Sequence, residues 1–368
     1  MTQALLLHPQ DLLFCRDGRP IVAGEGAAAG SQLPSSQVVC GALRTALLKA
    51  RKELTAFMPS AEAIARVKNL TIRGPLLYAT QDIPLPLGRV VLAGPLIPMP
   101  ADVVGDKPKH GQPGAPQDRL APEQDLPGWR PPKDAPQAKA MWPLHRQRRP
   151  SDPNDPQPKP GEGPLPRHWL SWPGFRIWAQ GGTPAATEVF TSNDLWESES
   201  RTQVSLTNDG AIAAEGQLFT TNYLRLRAGM ALYVEIDGDT EQLPTQGMLH
   251  LGGDRRLATW ESTTPLTWPT VDGGTCVGLA LTATILAGED QRCPQAWKEH
   301  CHGLAIPGSE PISGWDFEHQ RPRPVRWALQ AGSVWHLHAP AGRERQLGLE
   351  QDTGHGWVAY GRQPRSSE

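Results

Sequence analysis

Tyrosine and phenylalanine are scarce in this chain, 4 and 6 in 368 residues, whereas proline and glycine number 38 and 37. Such a composition disfavours long helices and implies many short strands joined by turns. Positive charge is not in excess either: the formal net charge is -2. Gripping nucleic acid through bulk charge is thereby excluded, and any contact with it must rest on local basic groups or on help from partners. Cysteines are few and odd in number, five with no CxxC pair, which argues against a disulfide framework and for a reducing compartment. No run approaches the roughly 18 apolar residues of a membrane helix. The opening MTQALLLHPQD carries no positive n-region and no cleavage site. The expectation is a soluble, cytoplasmic protein without a membrane contact. Also missing are a P-loop, a GxSxG elbow and an HExxH helix, so no cofactor is expected.

What is present begins with residues 32–51, QLPSSQVVCGALRTALLKAR. Ser35 and Ser36 offer side-chain oxygens to the unpaired N–H groups of a helix start. Val38, Val39, Leu43, Ala46, Leu47 and Ala50 recur at helical spacing, predicting an amphipathic helix that runs to about residue 57. Gly41 inside it costs roughly 1 kcal/mol relative to alanine, which predicts close approach of another backbone. A strand over residues 4–7 precedes this helix. A short helix over 61–67 and strands over 70–72 and 76–78 follow, an order that fits half of a ferredoxin-like unit.

Residues 100–166 are different in kind, with 17 prolines among 67 residues and no apolar periodicity. They are expected to form an irregular insertion or linker, since they bury too little apolar surface to offset the entropy of ordering. The basic run His145 to Arg149 inside it reads as a solvated charge cluster. From residue 169 the pattern is again that of a folded domain. Strands are predicted at Val204 and Leu206, over 217–226, 230–236, 248–251 and 275–286, and in three short runs after residue 326. The 13 Trp are expected in the core or at interfaces. The division is therefore 1–99, 100–168 and 169–368.

Several residues could carry chemistry. Gly252-Gly253-Asp254-Arg255-Arg256 puts exposed backbone N–H groups beside two guanidiniums, a pattern suited to phosphate. Residues 348–356 repeat the logic, with Gly354 and Gly356 allowing a nucleic-acid strand close to the backbone. His250 and His355 are the best-placed general bases, although each serves more readily as a hydrogen-bond partner. Cys293, His300, Cys301 and His302 have the wrong spacing for one tetrahedral zinc, so no metal is expected.

Taken together and in order, LLFCRDGRPI, LPSSQVVCGALRTALL, SRTQV with AEGQLF, LGGDRR, SGWD with AGSVW, and the closing LG and GHGW resemble one family. It is the RAMP-superfamily subunit that caps the crRNA 5′ end in type III-B CRISPR effector complexes, the Cmr complex. Cys15 departs from the bulky residue expected there, and the Pro-rich insertion lies outside the likeness. The resemblance implies an α+β fold of two ferredoxin-like, RRM-related domains facing each other across a cleft. It implies a non-catalytic subunit that binds the repeat-derived 5′ handle of crRNA. Its implied partners are the large polymerase-like subunit and the first backbone RAMP subunit. Carried onto this sequence, the RNA contacts are Ser35, Ser36, Arg44, Arg16, Arg201, Gly252, Gly253, Arg255, Arg256, Gly354, His355 and Gly356. Gly332 and Ser333 are structural or lesser contacts. Two rivals stand beside this reading: a RAMP endoribonuclease processing crRNA precursors by metal-independent acid–base catalysis, and a Trp-rich, all-β carbohydrate-binding module.

Overall fold

Ser35 opens the first helix as expected. Its backbone is extended and its side chain accepts a hydrogen bond from the Val38 N–H at 3.4 Å. The helix, α1, spans Ser36–Ala50, and Val39, Cys40, Leu43, Ala46 and Leu47 form its buried face. Val38 and Ala50 lie off that face. It stops seven residues short of the sequence expectation because Arg51 caps it and Lys52 turns left-handed at φ 58°. Gly41 does not admit a neighbouring backbone: a Cβ there would meet nothing within 4 Å. A second helix, α2, covers Ala61–Lys68 behind the N-cap Ser60. The all-β alternative is excluded by these two helices.

The computed structural model describes residues 2–15, 31–54, 60–106, 113–122, 144–146, 162–206, 213–271, 274–287, 292–316, 321–338 and 344–364. The chain is mixed α and β, with few helices and mostly antiparallel sheets. It divides into two compact units that interleave along the sequence. The first takes Met1–Pro75, Leu195–Pro265 and Pro311–Arg326, and the second Leu76–Asp194, Leu266–Glu310 and Trp327–Glu368. Their limits do not coincide with consecutive blocks ending at 99 and 168. Among the described residues no helix is long and apolar enough to cross a membrane.

In the first unit the strand Gln3–Pro9 lies between Met230–Asp237 and Leu257–Thr263, with Gln246–His250 at the edge. Leu5, Leu6 and Leu7 are all buried, so this strand is covered on both faces. Residues 70–72 and 76–78, read as two strands, belong to one, Thr71–Ala79. Arg73 on it pairs with Glu235 at 3.2 Å and with Asp237 at 2.7 Å. A long antiparallel hairpin, Trp196–Leu206 with Ala213–Leu226, completes the unit. Residues 207–212, between its two strands, lie outside the described residues.

In the second unit the described parts of the Pro-rich segment include strands. Val103–Asp106 pairs with both Ala115–Pro122 and Glu162–Pro164, and Ala115–Pro122 also pairs with Leu144–Arg146. These strands are anchored by charge as well as by apolar surface. Arg119, 1% exposed, donates twice to Asp102 at 2.6 and 2.9 Å and once to the Trp178 carbonyl at 2.8 Å. The Trp178 indole N–H donates to the other Asp102 oxygen at 2.9 Å. Proline content hid this network because its members, Asp102, Arg119 and Trp178, stand far apart in sequence and meet only in the fold. Trp178 lies on a third helix, α3, Trp172–Ala179. Its neighbours include Trp172, Phe175, Trp268 and Trp357, whose rings meet at 5.1–5.8 Å. Trp297 and Trp335 fill a further cluster with Cys276, Cys293 and Cys301. Five tryptophans, Trp178, Trp260, Trp297, Trp335 and Trp357, are buried and so belong to the core.

Candidate nucleic-acid interface

The chain reverses at Gly252 with φ +82°, between the edge strand Gln246–His250 and Leu257–Thr263. A Cβ on Gly252 would stand 2.6 Å from the Phe14 carbonyl oxygen and 2.8 Å from the Cys15 sulfur. The Gly253 N–H donates to that carbonyl at 2.7 Å. Gly252 is therefore required by the chain's own backbone, whereas a Cβ on Gly253 would first meet the Phe14 side chain, at 3.0 Å. Asp254 and Arg255 follow, both left-handed, with φ 55° and 51°. All four residues from Gly252 to Arg255 are exposed.

Beneath this turn sits Tyr223, fully buried, its ring 5.1 Å from Phe14. The Tyr223 hydroxyl donates to Asp254 at 3.0 Å and accepts from the Gln203 amide. Two guanidiniums lie against its ring, Arg256 at 4.8 Å and Arg201 at 5.5 Å from the centroid. Arg256 also bonds Asp254 at 2.9 Å and approaches Asp11 at 3.4 Å. Arg201 pairs with Glu199 at 2.7 Å, and Arg225 links Glu199 to Asp11 at 2.8 Å each. The hydrogen bonds from Arg225 and Arg201 lower the Glu199 carboxyl below its usual range. Thus Arg201, distant in sequence, is brought to the same edge of the first unit as Gly252, Gly253, Arg255 and Arg256. Arg201 and Arg256 are held in a lattice of opposite charges. Arg255 makes no ion pair among the described residues and projects to solvent.

The remaining expected contacts lie elsewhere. Ser35 serves the helix start, and Ser36 is 5% exposed on the buried face of α1. The Arg44 guanidinium reaches the carbonyls of Lys68 and Leu70 at 3.3 and 3.4 Å, closing the end of α2. Arg16 lies outside the described residues, as do residues 147–149 of the basic run. Gly354, His355 and Gly356 belong to the second unit and are buried within it. The Gly354 carbonyl accepts from the Thr282 hydroxyl at 3.0 Å. Gly332 and Ser333 are structural: a Cβ on Gly332 would stand 2.5 Å from the Met99 carbonyl oxygen, and Ser333 is fully buried. His250 is exposed at the end of an edge strand, and His355 is 0% exposed. No group of His, Cys, Asp and Glu among the described residues could hold a metal ion. Cys293 and Cys301 are in the apolar core, whereas the His302 ring stacks on His338 at 3.6 Å.

The family model of the CRISPR-associated protein Cas_Cmr3 matches residues 5–357. This chain belongs to the CRISPR-associated Cmr3 family. It is thus a RAMP-like subunit of the type III-B Cmr kind. No curated protein matches the sequence. Among solved structures, one similar chain is in the type III-B Cmr-beta complex bound to cognate target RNA. It is 15% identical with a TM-score of 0.49, over 90% of this chain and 86% of that one. Another is in the Csm3-Csm4 subcomplex of the type III-A CRISPR-Cas interference complex, 14% identical, TM-score 0.38, with 99% of each chain covered.

Proposed function

We propose that this Cmr3-family chain is a non-catalytic, RNA-binding subunit that holds the repeat-derived 5′ handle of crRNA. In this reading it joins the large polymerase-like subunit to the backbone RAMP subunits, and its units are of the ferredoxin-like, RRM-related class. The strand–helix–strand order of Gln3–Pro9, α1 and Thr71–Ala79 supports the fold assignment. The observation that carries the function is the edge around Tyr223, where Arg201, Arg255 and Arg256 meet an exposed glycine turn in a chain of net charge -2. Local guanidiniums held by Asp254, Glu199 and Asp11 are pre-aimed and lose little freedom when a phosphate arrives. Single-stranded RNA suits such a surface, being read through its backbone and splayed bases. The burial of His355 weighs against the endoribonuclease reading, which needs a base within reach of a 2′-hydroxyl.

Sequencing of the RNA that co-purifies with the tagged protein from its host tests the proposal. RNAs sharing one short 5′ end followed by varied spacers are the expected result. RNA without a common 5′ end would sink the handle assignment. Arg255→Ala should weaken binding of handle RNA and lower the salt slope of log K by about 0.7, the loss of one phosphate contact on a single strand.

A further inference from the structure

Hairpins on a surface ordinarily alternate apolar residues inward with polar ones outward. Residues 83–93 of the second unit, IPLPLGRVVLA, break that rule, and Arg89 is the only charge among them. Ile83–Pro84 pairs with Val90–Val91, and the Leu85 N–H closes the turn on the Arg89 carbonyl at 2.8 Å. Ile83, Leu85 and Val91 are buried. The outward residues are apolar too. Pro84 and Val90 face each other across the pair, Leu92 follows on the same side, and Pro86 and Leu87 make the tip. Leu87 is 82% exposed, and Val90 and Leu92 are 40% exposed each.

The tip residue answers no need of the fold. Leu87 has φ 63° and ψ 26°, a left-handed conformation that is costly for leucine and suits Asn or Gly. It gains no burial in return. The hairpin beneath it is clasped to the second unit. Arg89 donates to both Asp194 carboxylate oxygens, at 3.0 and 3.3 Å, and to the Val189 carbonyl at 2.7 Å, with its guanidinium over the Phe190 ring. The Ala93 N–H donates to Asp82 at 2.8 Å. The one cation is thus turned back into its own unit. Two prolines and this clasp fix the hairpin before any partner arrives.

We infer that Leu87, with Pro84, Pro86, Val90 and Leu92, is a knob that seats in an uncharged apolar pocket on a neighbouring protein subunit of the Cmr-type complex. Membership of the family supplies such neighbours. Nucleic acid does not fit, because the knob offers no cation to a phosphate. A lipid surface does not fit either, since binding there pairs an apolar face with Lys and Arg. Pro84 has no N–H to donate, which impairs strand addition along Ile83–Pro84. Insertion of side chains into an apolar pocket is the contact left, with Leu87 as its aliphatic anchor. The inference supplies a surface for the joining role proposed above and does not depend on the handle.

The test adds the full chain to the purified complex assembled without it and reads affinity by interferometry. Leu87→Asn should melt no lower than the parent, because Asn accepts the left-handed turn, yet bind the complex about tenfold more weakly. Leu87→Met, which keeps an apolar side chain, should stay within about threefold of the parent. A photoreactive amino acid placed at position 87 should cross-link to another protein subunit of the complex. Unchanged affinity in Leu87→Asn would overturn the inference, and so would a lower melting temperature, which would mean that the fold itself needs this leucine. Cross-links to RNA or to a second copy of this chain would overturn it too. The handle reading fails separately: if Arg255→Ala with Arg256→Ala leaves handle RNA in place while Leu87→Asn loses affinity for the complex, the knob stands and the handle assignment does not.

Discussion

A Cβ on Gly356 would stand 1.8 Å from the Leu347 carbonyl oxygen, at a φ of +71°. The same glycine read as a place for RNA to come close is thus needed by the protein's own loop. Gly356→Ala should destabilise the folded chain by about 3 kcal/mol or more, through strain at a left-handed position plus a backbone clash. Urea denaturation measures this, and a loss under 1 kcal/mol would show that the loop relaxes freely. Asp102 gives a second residue-scale expectation. Asp102→Ala leaves the Arg119 guanidinium buried without its carboxylate and the Trp178 N–H without its acceptor. Burial already pulls the Arg119 pKa down against that carboxylate. The variant should lose about 3–5 kcal/mol, a large share of the roughly 5–15 kcal/mol that a domain has. A melting temperature within 2 °C of the parent's would refute it.

At the scale of elements, α1 was legible in its start and its face. Ser35 is a cap by chemistry, and the spacing of Val39, Leu43, Ala46 and Leu47 needs only a 3.6-residue period. Its end was not legible, since the left-handed turn at Lys52 carries no glycine or proline signal. Nor was Gly41, which faces open space and serves no close approach. Gly41→Ala should therefore stabilise the chain by about 0.5–1 kcal/mol with no change in RNA affinity. A destabilised variant would mean that something covers this face. The Pro-rich segment shows the opposite limit. Composition argued for an irregular insertion or linker, but Val103, Asp102 and Arg119 are buried, in or beside strands that pair with each other, and Asp102 and Arg119 close on Trp178.

At the scale of the molecule, acid is the expected weakness. His336 is fully buried and its imidazole is pushed down to about 4, first by burial. His302 is also pushed down to about 4, by burial and by the stacked His338. Unfolded, both would titrate near 6.5. As pH falls from about 6.5 to about 4 the unfolded chain gains protons that the folded chain refuses, so stability falls by up to about 1.4 kcal/mol per unit for each histidine. Above pH 6.5 these two groups contribute no slope. Denaturation midpoints between pH 4.5 and 7.5 test this, and His336→Leu should show a shallower decline than the parent. Equal slopes would remove His336 as the cause.

The sequence by itself determined the family, the strand-rich class and the starts of α1 and α2. Each of these follows from local period, capping chemistry or motif order, which neighbours along the chain supply. Only the tertiary structure decided which motifs share a surface. It brought Arg201 and Arg256 against Tyr223, assigned Arg44 to the end of α2 and buried His355. Those outcomes depend on cross-strand register and on which backbone a glycine must clear, and both are set by residues distant in sequence.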